Sequence, residues 1–243
     1  MSNKPYKGFE PNWLLTPAPE NSYRSIFRWG DPNFFKYPKE SLYTLMKEKF
    51  QMTDDDFKAY SDDTGFDPVE LPDHPVQLAP EHIDALKAIV GEQNLSTTDY
   101  DRLSVAYGAT AYDLLRLRHK RIDSVPDVVL YPETSEQVEQ IVAYSTEHHI
   151  PLYVYGGGSS VTRGVEPTKG GISLDMRRNF NKVISFNEID QTITVQAGMS
   201  GPDLEKTLQN APELFGAKRQ YTCGHFPQSF EYSSVGGWTV TRG

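Results

Sequence analysis

The residues best suited to chemistry lie in the run YVYGGGSSVTRG at 153–164, where Gly156, Gly157 and Gly158 follow an apolar stretch and lead into Ser159, Ser160, Val161 and Gly164. Three successive glycines let backbone N–H groups turn inward, and consecutive inward N–H groups form a concavity suited to phosphate oxygens. The two serine hydroxyls add donors. A dinucleotide pyrophosphate carries charges that such donors must match once it leaves water. Neither of the commoner phosphate loops fits. A GxGxxG fingerprint opens directly into a helix, whereas VTRGVEPTKGG places Pro167 and three glycines where that helix would run, and the Gly-Lys-Ser/Thr of a P-loop is absent. On these residues alone a mobile glycine turn stays open as the alternative. The loop reading carries its own test: Gly157→Val should block backbone approach to a pyrophosphate while leaving the fold largely intact.

The elements around the loop must position it. PDVVLYP at 126–132 reads as a short buried strand, TSEQVEQIVAYSTEHHI at 134–150 as an amphipathic helix, and PLYVYGGG as a second buried strand ending in glycine. Together they make a β-α-β unit, with Thr134 or Ser135 as the helix cap and Val138, Ile141 and Val142 on one face. From residue 171 the periods shorten to strands in GISLDM, KVISFN and TITVQAG, followed by a helix over PDLEKTLQNA. Upstream, helices are predicted over SLYTLMKEKF (41–50), over TDDDF with Thr53 as N-cap and Asp56 three residues on, over HIDALKAIVG ending at Gly91, and over TDYDRLSVAYG and ATAYDLLRLRHKRI. No strand signal precedes residue 122. Residues 1–38 mix six prolines with Phe9, Trp13, Phe27, Trp29, Phe34 and Phe35, which suggests an ordered arm wrapping a folded body. The closing run VGGWTVTRG carries no strand or helix pattern and reads as an interrupted end, with Gly236, Gly237 and Trp238 open to a tight-turn reading.

Composition bounds the partners. The chain has 243 residues, 37% hydrophobic, with a formal net charge of −9, so no chain-wide positive field exists to hold nucleic acid or an anionic membrane surface, and a bound anion must be held locally. The lone Cys223 excludes an internal disulfide, and this usage suits a reducing compartment. No run approaches the roughly 20 apolar residues of a spanning helix, and the start lacks the apolar core of a secretory signal, so the expected location is cytoplasmic. His148 and His149 adjoin without a third ligand at metal spacing, His225 is read as structural, Cys223 has no evident base partner, and no metal is expected.

PDVVLYPETSEQVEQIVAYSTEHHIPLYVYGGGSSVTRG resembles the opening of the FAD-binding domain named after p-cresol methylhydroxylase (PCMH) and shared by the vanillyl-alcohol-oxidase family. ISLDMRRNFNKVISFNEIDQTITVQAGMSGPDLEKTL resembles that family's next signature. Within it, CGHFPQSFEYSSVGGWTVTRG and DRLSVAYGATAYDLLRLRHKRIDSVPDVV are similar to runs of the alkyldihydroxyacetone-phosphate synthase group and its FAD-linked oxidase relatives, and the likeness covers about residues 97–243. The resemblance implies an α+β fold: a PCMH-type FAD-binding domain of two α/β subdomains over 123–243, incomplete at its end, after an arm and mainly helical region over 1–122. It implies that Val154, Tyr155, Gly156, Gly157, Gly158, Ser159 and Ser160 line the FAD pyrophosphate. It also implies that Gln228, Ser229, Phe230, Glu231, Tyr232, Ser233 and Ser234 pass along the flavin and its phosphates, and that Thr241 and Arg242 begin the next contact. Relatives with a flavin bonded to histidine often carry His after the paired glycines; Ser159 stands there, so noncovalent FAD is expected. The implied activity is FAD-dependent oxidation of a 2-hydroxy acid or similar alcohol, or the chemistry of the ether-lipid synthase. The substrate cap and catalytic acid/base groups are expected beyond residue 243. An FAD-binding chain without catalysis stays open, as does a homodimer.

Overall fold

The computed structural model describes residues 17–26, 40–58 and 65–242, and most of the arm expected over 1–38 lies outside them. The chain forms two units, one of residues 1–69 with 114–121 and one of 70–113 with 122–243.

In the first unit, α1 (Glu40–Phe50) and α2 (Asp54–Lys58) form as the pattern predicts. Thr53 and Asp56 exchange a capping box: the Thr53 backbone N–H donates to Asp56 Oδ2 at 2.7 Å, and the Asp56 N–H donates to Thr53 Oγ1 at 3.3 Å. A short 3-10 turn at Tyr23–Ile26 buries both of its end residues and is tied to the segment 65–69 by Arg24 N–H to the Gly65 carbonyl at 2.8 Å.

The second unit begins with α3 (Pro80–Val90), which has proline in its first turn and ends at Gly91. There follow β1 (Leu95–Ser96), α4 (Asp99–Ser104), α5 (Ala111–Arg118), whose first turn lies in this unit, β2 (Val128–Leu130), α6 (Ser135–Glu147), β3 (Leu152–Tyr155) and β4 (Ile172–Asp175). Thr134 is the cap of α6, accepting from the Gln137 N–H. The sheet order is β1-β2-β4-β3. β4 pairs in parallel with both β2 and β3, so the strands flanking α6 are separated by a third, and the sequence-local β-α-β unit closes only when β4 enters between them. β1 was missed because two residues are too short for a period; it pairs antiparallel with β2.

Alternation along β2 and β4 sends Val128, Leu130, Ile172 and Leu174 to one face, where Leu86 and Val90 of α3 and Ile141 of α6 complete the core. Burial of each such side chain contributes about 1.5–3 kcal/mol. The opposite face carries Val129, Tyr131 and Tyr155, closed by Val105.

A second layer contains β5 (Val183–Asn187) paired antiparallel with β6 (Thr192–Val195), then α7 (Gly201–Gln209), α8 (Ala211–Phe215) and α9 (Val235–Thr241). Met199, Leu204 and Leu208 form its core, and Val235 and Trp238 pack on it. The closing run is therefore helical, against the sequence expectation. Ser234 caps α9 by accepting from the Gly237 N–H at 3.3 Å, and Gly236 is placed where a Cβ would come within 2.8 Å of the Ala197 carbonyl oxygen. Two glycines hide the helical signal but allow the close approach.

Asp127 ties the start of β2 to its surroundings. Its carboxylate accepts from the Gln77 N–H at 2.6 Å and the Gly171 N–H at 2.7 Å, and the side chain is buried. Asp127→Ala strands both donors and is expected to lower unfolding free energy by about 2–4 kcal/mol, measured by urea denaturation; a loss under about 0.5 kcal/mol would show that other acceptors replace the carboxylate.

Candidate phosphate and dinucleotide site

β3 delivers the glycine loop at its carboxyl end, the edge at which parallel sheets present ligand-binding turns. Tyr155, the last strand residue, is 1% exposed, and Arg177 stacks on its ring at 4.6 Å. Val154, one residue earlier, points to the other face and is 59% exposed. The loop that follows contains no helix, as its proline and glycines require.

The glycines are explained by packing. A Cβ on Gly157 would sit 1.9 Å from the Tyr232 carbonyl oxygen and 2.5 Å from Ser233 Cα, and one on Gly156 would sit 2.4 Å from Ser234 Oγ. Gly158 has φ +69°, and a Cβ there would meet the Tyr155 hydroxyl at 2.0 Å. The expectation that Gly157→Val would leave the fold largely intact is thus corrected: the Cβ direction at 157 faces protein backbone. What remains for a ligand is the N–H side. Among the described residues, the backbone N–H groups of Gly157 through Val161 have no protein acceptor. These five consecutive donors, with Gly158 buried, Val161 exposed and the other three half-buried, can form an anion cradle.

The second expected segment joins the loop through part of its length. Phe230–Tyr232 is a 3-10 turn entered through Ser229 at φ +65°; Ser233 and Ser234 are buried. Ser233 Oγ accepts from Trp238 Nε1 at 2.7 Å, and the Ser233 carbonyl accepts from the Gly201 N–H, so this strip is braced by α9 and by the start of α7. Phe230 stacks on Trp238. Gln228, Glu231, Thr241 and Arg242 are exposed, and among the described residues none of them hydrogen-bonds to the loop; the Thr241 hydroxyl donates to the Gly237 carbonyl inside α9. His225 lies edge-on to Trp238 at 5.8 Å, and Cys223 Sγ contacts the His225 carbonyl.

Two arginines lie near the ends of β3 and β4, one of them with its charge compensated by a carboxylate. Asp175 accepts from Arg177 Nε at 2.9 Å and Nη2 at 2.5 Å. Burial works against the Arg177 charge, but the paired carboxylate outweighs it and holds the guanidinium pKa above its ordinary value. Arg178 lies 4.7 Å over the Tyr131 ring. Burial, then the Asp101 and Asp175 carboxylates, push the Tyr131 phenol up, so it stays neutral. Two contributors escaped the sequence reading: Arg177, between two runs read as strands, and the turn at Gly108–Ala109, whose Ala109 N–H donates to the Ser160 carbonyl at 2.9 Å. The sequence predicts a helix over ATAYDLLRLRHKRI, whose start Thr110 and Asp113 cap, but nothing in it shows which loop the turn meets.

Comparison with known proteins bears on this geometry. Residues 126–243 match the FAD binding domain family. The chain is 30% identical over 215 residues to an alkyldihydroxyacetonephosphate synthase of Dictyostelium discoideum, covering 86% of this chain and 34% of that protein. It is 28% identical over 136 residues to D-lactate dehydrogenase [cytochrome] 1, mitochondrial, of Saccharomyces cerevisiae, covering 55% of this chain and 23% of that one. A solved alkyldihydroxyacetonephosphate synthase superposes with a TM-score of 0.63 at 31% identity, over 70% of this chain and 30% of that chain. The chain thus spans about a third or less of the length of these relatives. The α+β class and the PCMH-type FAD-binding fold expected from the resemblance are borne out.

Proposed function

We propose a function from one premise: through residues 126–243 the chain belongs to the FAD binding domain family, and FAD is its cofactor. In this reading the chain holds FAD noncovalently as the dinucleotide-binding part of an FAD-linked enzyme. The pyrophosphate sits on the loop 156–160 and the remainder of FAD runs along 228–234. The observation that carries it is the run of backbone N–H groups from Gly157 to Val161 without an acceptor among the described residues, in a loop whose Gly156 and Gly157 pack against Tyr232–Ser234. N–H donors to a charged phosphate make charge-assisted bonds, about twice as strong as neutral ones. The Ser159 and Ser160 hydroxyls add further donors, and the Arg177–Asp175 ion pair lies against Tyr155 beside the loop. Ser159, where histidine carries a covalent flavin in some relatives, supports noncovalent attachment. When bound, FAD supplies redox chemistry at its flavin ring; these residues bind and orient it and match its phosphate charge.

The substrate class favoured is that of the alkyldihydroxyacetonephosphate synthases, because that likeness spans 86% of the chain and so extends well ahead of the FAD-binding domain. The second reading, oxidation of a 2-hydroxy acid or similar alcohol, is supported by the likeness to D-lactate dehydrogenase. The test begins with the purified chain incubated with FAD and desalted. Flavin absorption bands should survive desalting and be released by acid precipitation; a colourless protein sinks the reading. In the protein that spans its relatives' full length, anaerobic bleaching of bound flavin by 2-hydroxy acids would select the second substrate class.

A further inference from the structure

The turn at 105–110 lies outside the FAD-binding domain match at 126–243, yet it is built against the cradle. Val105 and Ala106 are wholly buried, and the Tyr107 hydroxyl accepts from the Asp123 N–H at 2.8 Å. The Thr110–Asp113 capping box fixes the other end, with Thr110 Oγ1 donating to Asp113 Oδ2 at 2.8 Å and the Asp113 N–H donating to Thr110 Oγ1 at 2.9 Å. Between these anchors, the Ala109 N–H donates to the Ser160 carbonyl at 2.9 Å, and Gly108 lies so close that a Cβ would sit 2.1 Å from that oxygen. Gly108 does not have a left-handed φ, so glycine is needed there only for this approach. A peptide unit is planar and trans, so its C=O and N–H point in opposite directions. Ser160 C=O belongs to the same peptide as Val161 N–H. Holding the carbonyl toward Ala109 therefore turns the Val161 N–H the other way, and that N–H has no acceptor among the described residues.

We propose that the turn 105–110 is a third wall of the cofactor site: Gly108 and Ala109 are positioning residues that lock the Ser160–Val161 peptide so that the Val161 N–H serves as a donor to the FAD pyrophosphate. This rests on the FAD reading above. It makes a segment ahead of the domain part of the phosphate site.

The test is FAD titration of the whole chain, followed by flavin fluorescence and visible circular dichroism, for wild type, Gly108→Ala and Gly224→Ala. Gly224 has φ +68° and nothing within 4 Å of its Cβ direction, so its variant reports backbone strain without contact. Misplacing one donor to a charged group should weaken FAD binding about ten- to a hundredfold in Gly108→Ala. Competition by ADP, which carries the same pyrophosphate, should weaken in parallel, while Gly224→Ala binds as wild type. Wild-type affinity for FAD and ADP in a folded Gly108→Ala protein overturns the proposal and leaves the FAD reading standing. Absence of FAD binding by the wild type overturns the FAD reading and this proposal with it. Should Gly108→Ala not fold, hydrogen exchange on the wild type decides: FAD must slow exchange at Ala109 together with residues 157–161, and slowing confined to the loop overturns the proposal.

Discussion

Gly157→Val is expected to abolish FAD retention through desalting and to lower thermal stability as well. The side chain would enter the space of the Tyr232 carbonyl and Ser233 Cα, and neither is the movable end of a side chain. The two strips must part, or the loop must leave its place. Either way the N–H donors lose their alignment, and three or more charge-assisted bonds are weakened together, a loss of at least about a hundredfold in affinity. Destabilisation accompanies this because the displaced strip also carries the Ser200–Ser234 bridge and the cap of α9; overpacking of this kind costs about 1–3 kcal/mol. The measurement is flavin fluorescence titration beside a thermal melt. Unchanged FAD affinity would remove the loop from the site altogether. A stability loss with intact binding would leave the contact at Tyr232 structural and place the phosphate donors elsewhere.

The same position shows what was legible in the sequence. Glycine at 157 announces that something approaches the backbone closely, but composition cannot say whether it is ligand or protein. The structure puts the Tyr232–Ser233 backbone against its Cβ side and leaves the loop N–H groups without acceptors among the described residues. Local codes translated well where the signal is local: Thr53 with Asp56, Thr134 ahead of Val138 and Gly91 after Val90 mark helix ends because capping is decided within four residues. Features set by distant pairing did not. β4 enters between β2 and β3 after sixteen intervening residues beyond β3, and β1 joins from upstream with two residues only. α9 was hidden by paired glycines, of which Gly236 makes room for Ala197, a tertiary requirement. Arg177 and the Gly108 turn belong to the same class, because a cation stacked on a tyrosine and a peptide plane held by a remote N–H leave no periodicity to read.

Asp175→Ala is the second large effect expected, and it separates folding from binding. Asp175 is almost wholly buried at the end of β4, directly paired with Tyr155 in the strand register. Its Oδ1 accepts from both the Arg177 backbone N–H and Arg177 Nε at 2.9 Å, so truncation strands a backbone donor as well as one side of the guanidinium. Breaking a buried ion pair from one side costs about 3–5 kcal/mol; with Arg177 about a third open to solvent, the expected loss is nearer 2–3 kcal/mol. Asp175→Asn keeps an acceptor and loses less. Removing the cation too, in Asp175→Ala with Arg177→Met, should restore part of the stability, because no unpaired charge is left facing Tyr155. FAD affinity should follow the opposite order: the single Asp175→Ala variant retains the cation beside the loop, whereas the double variant loses it and binds FAD more weakly. Urea denaturation of the three variants gives the first ordering and flavin titration the second. If the double variant is both the less stable and the tighter binder, then Arg177 serves neither the fold nor the cofactor in the way its stacking on Tyr155 indicates.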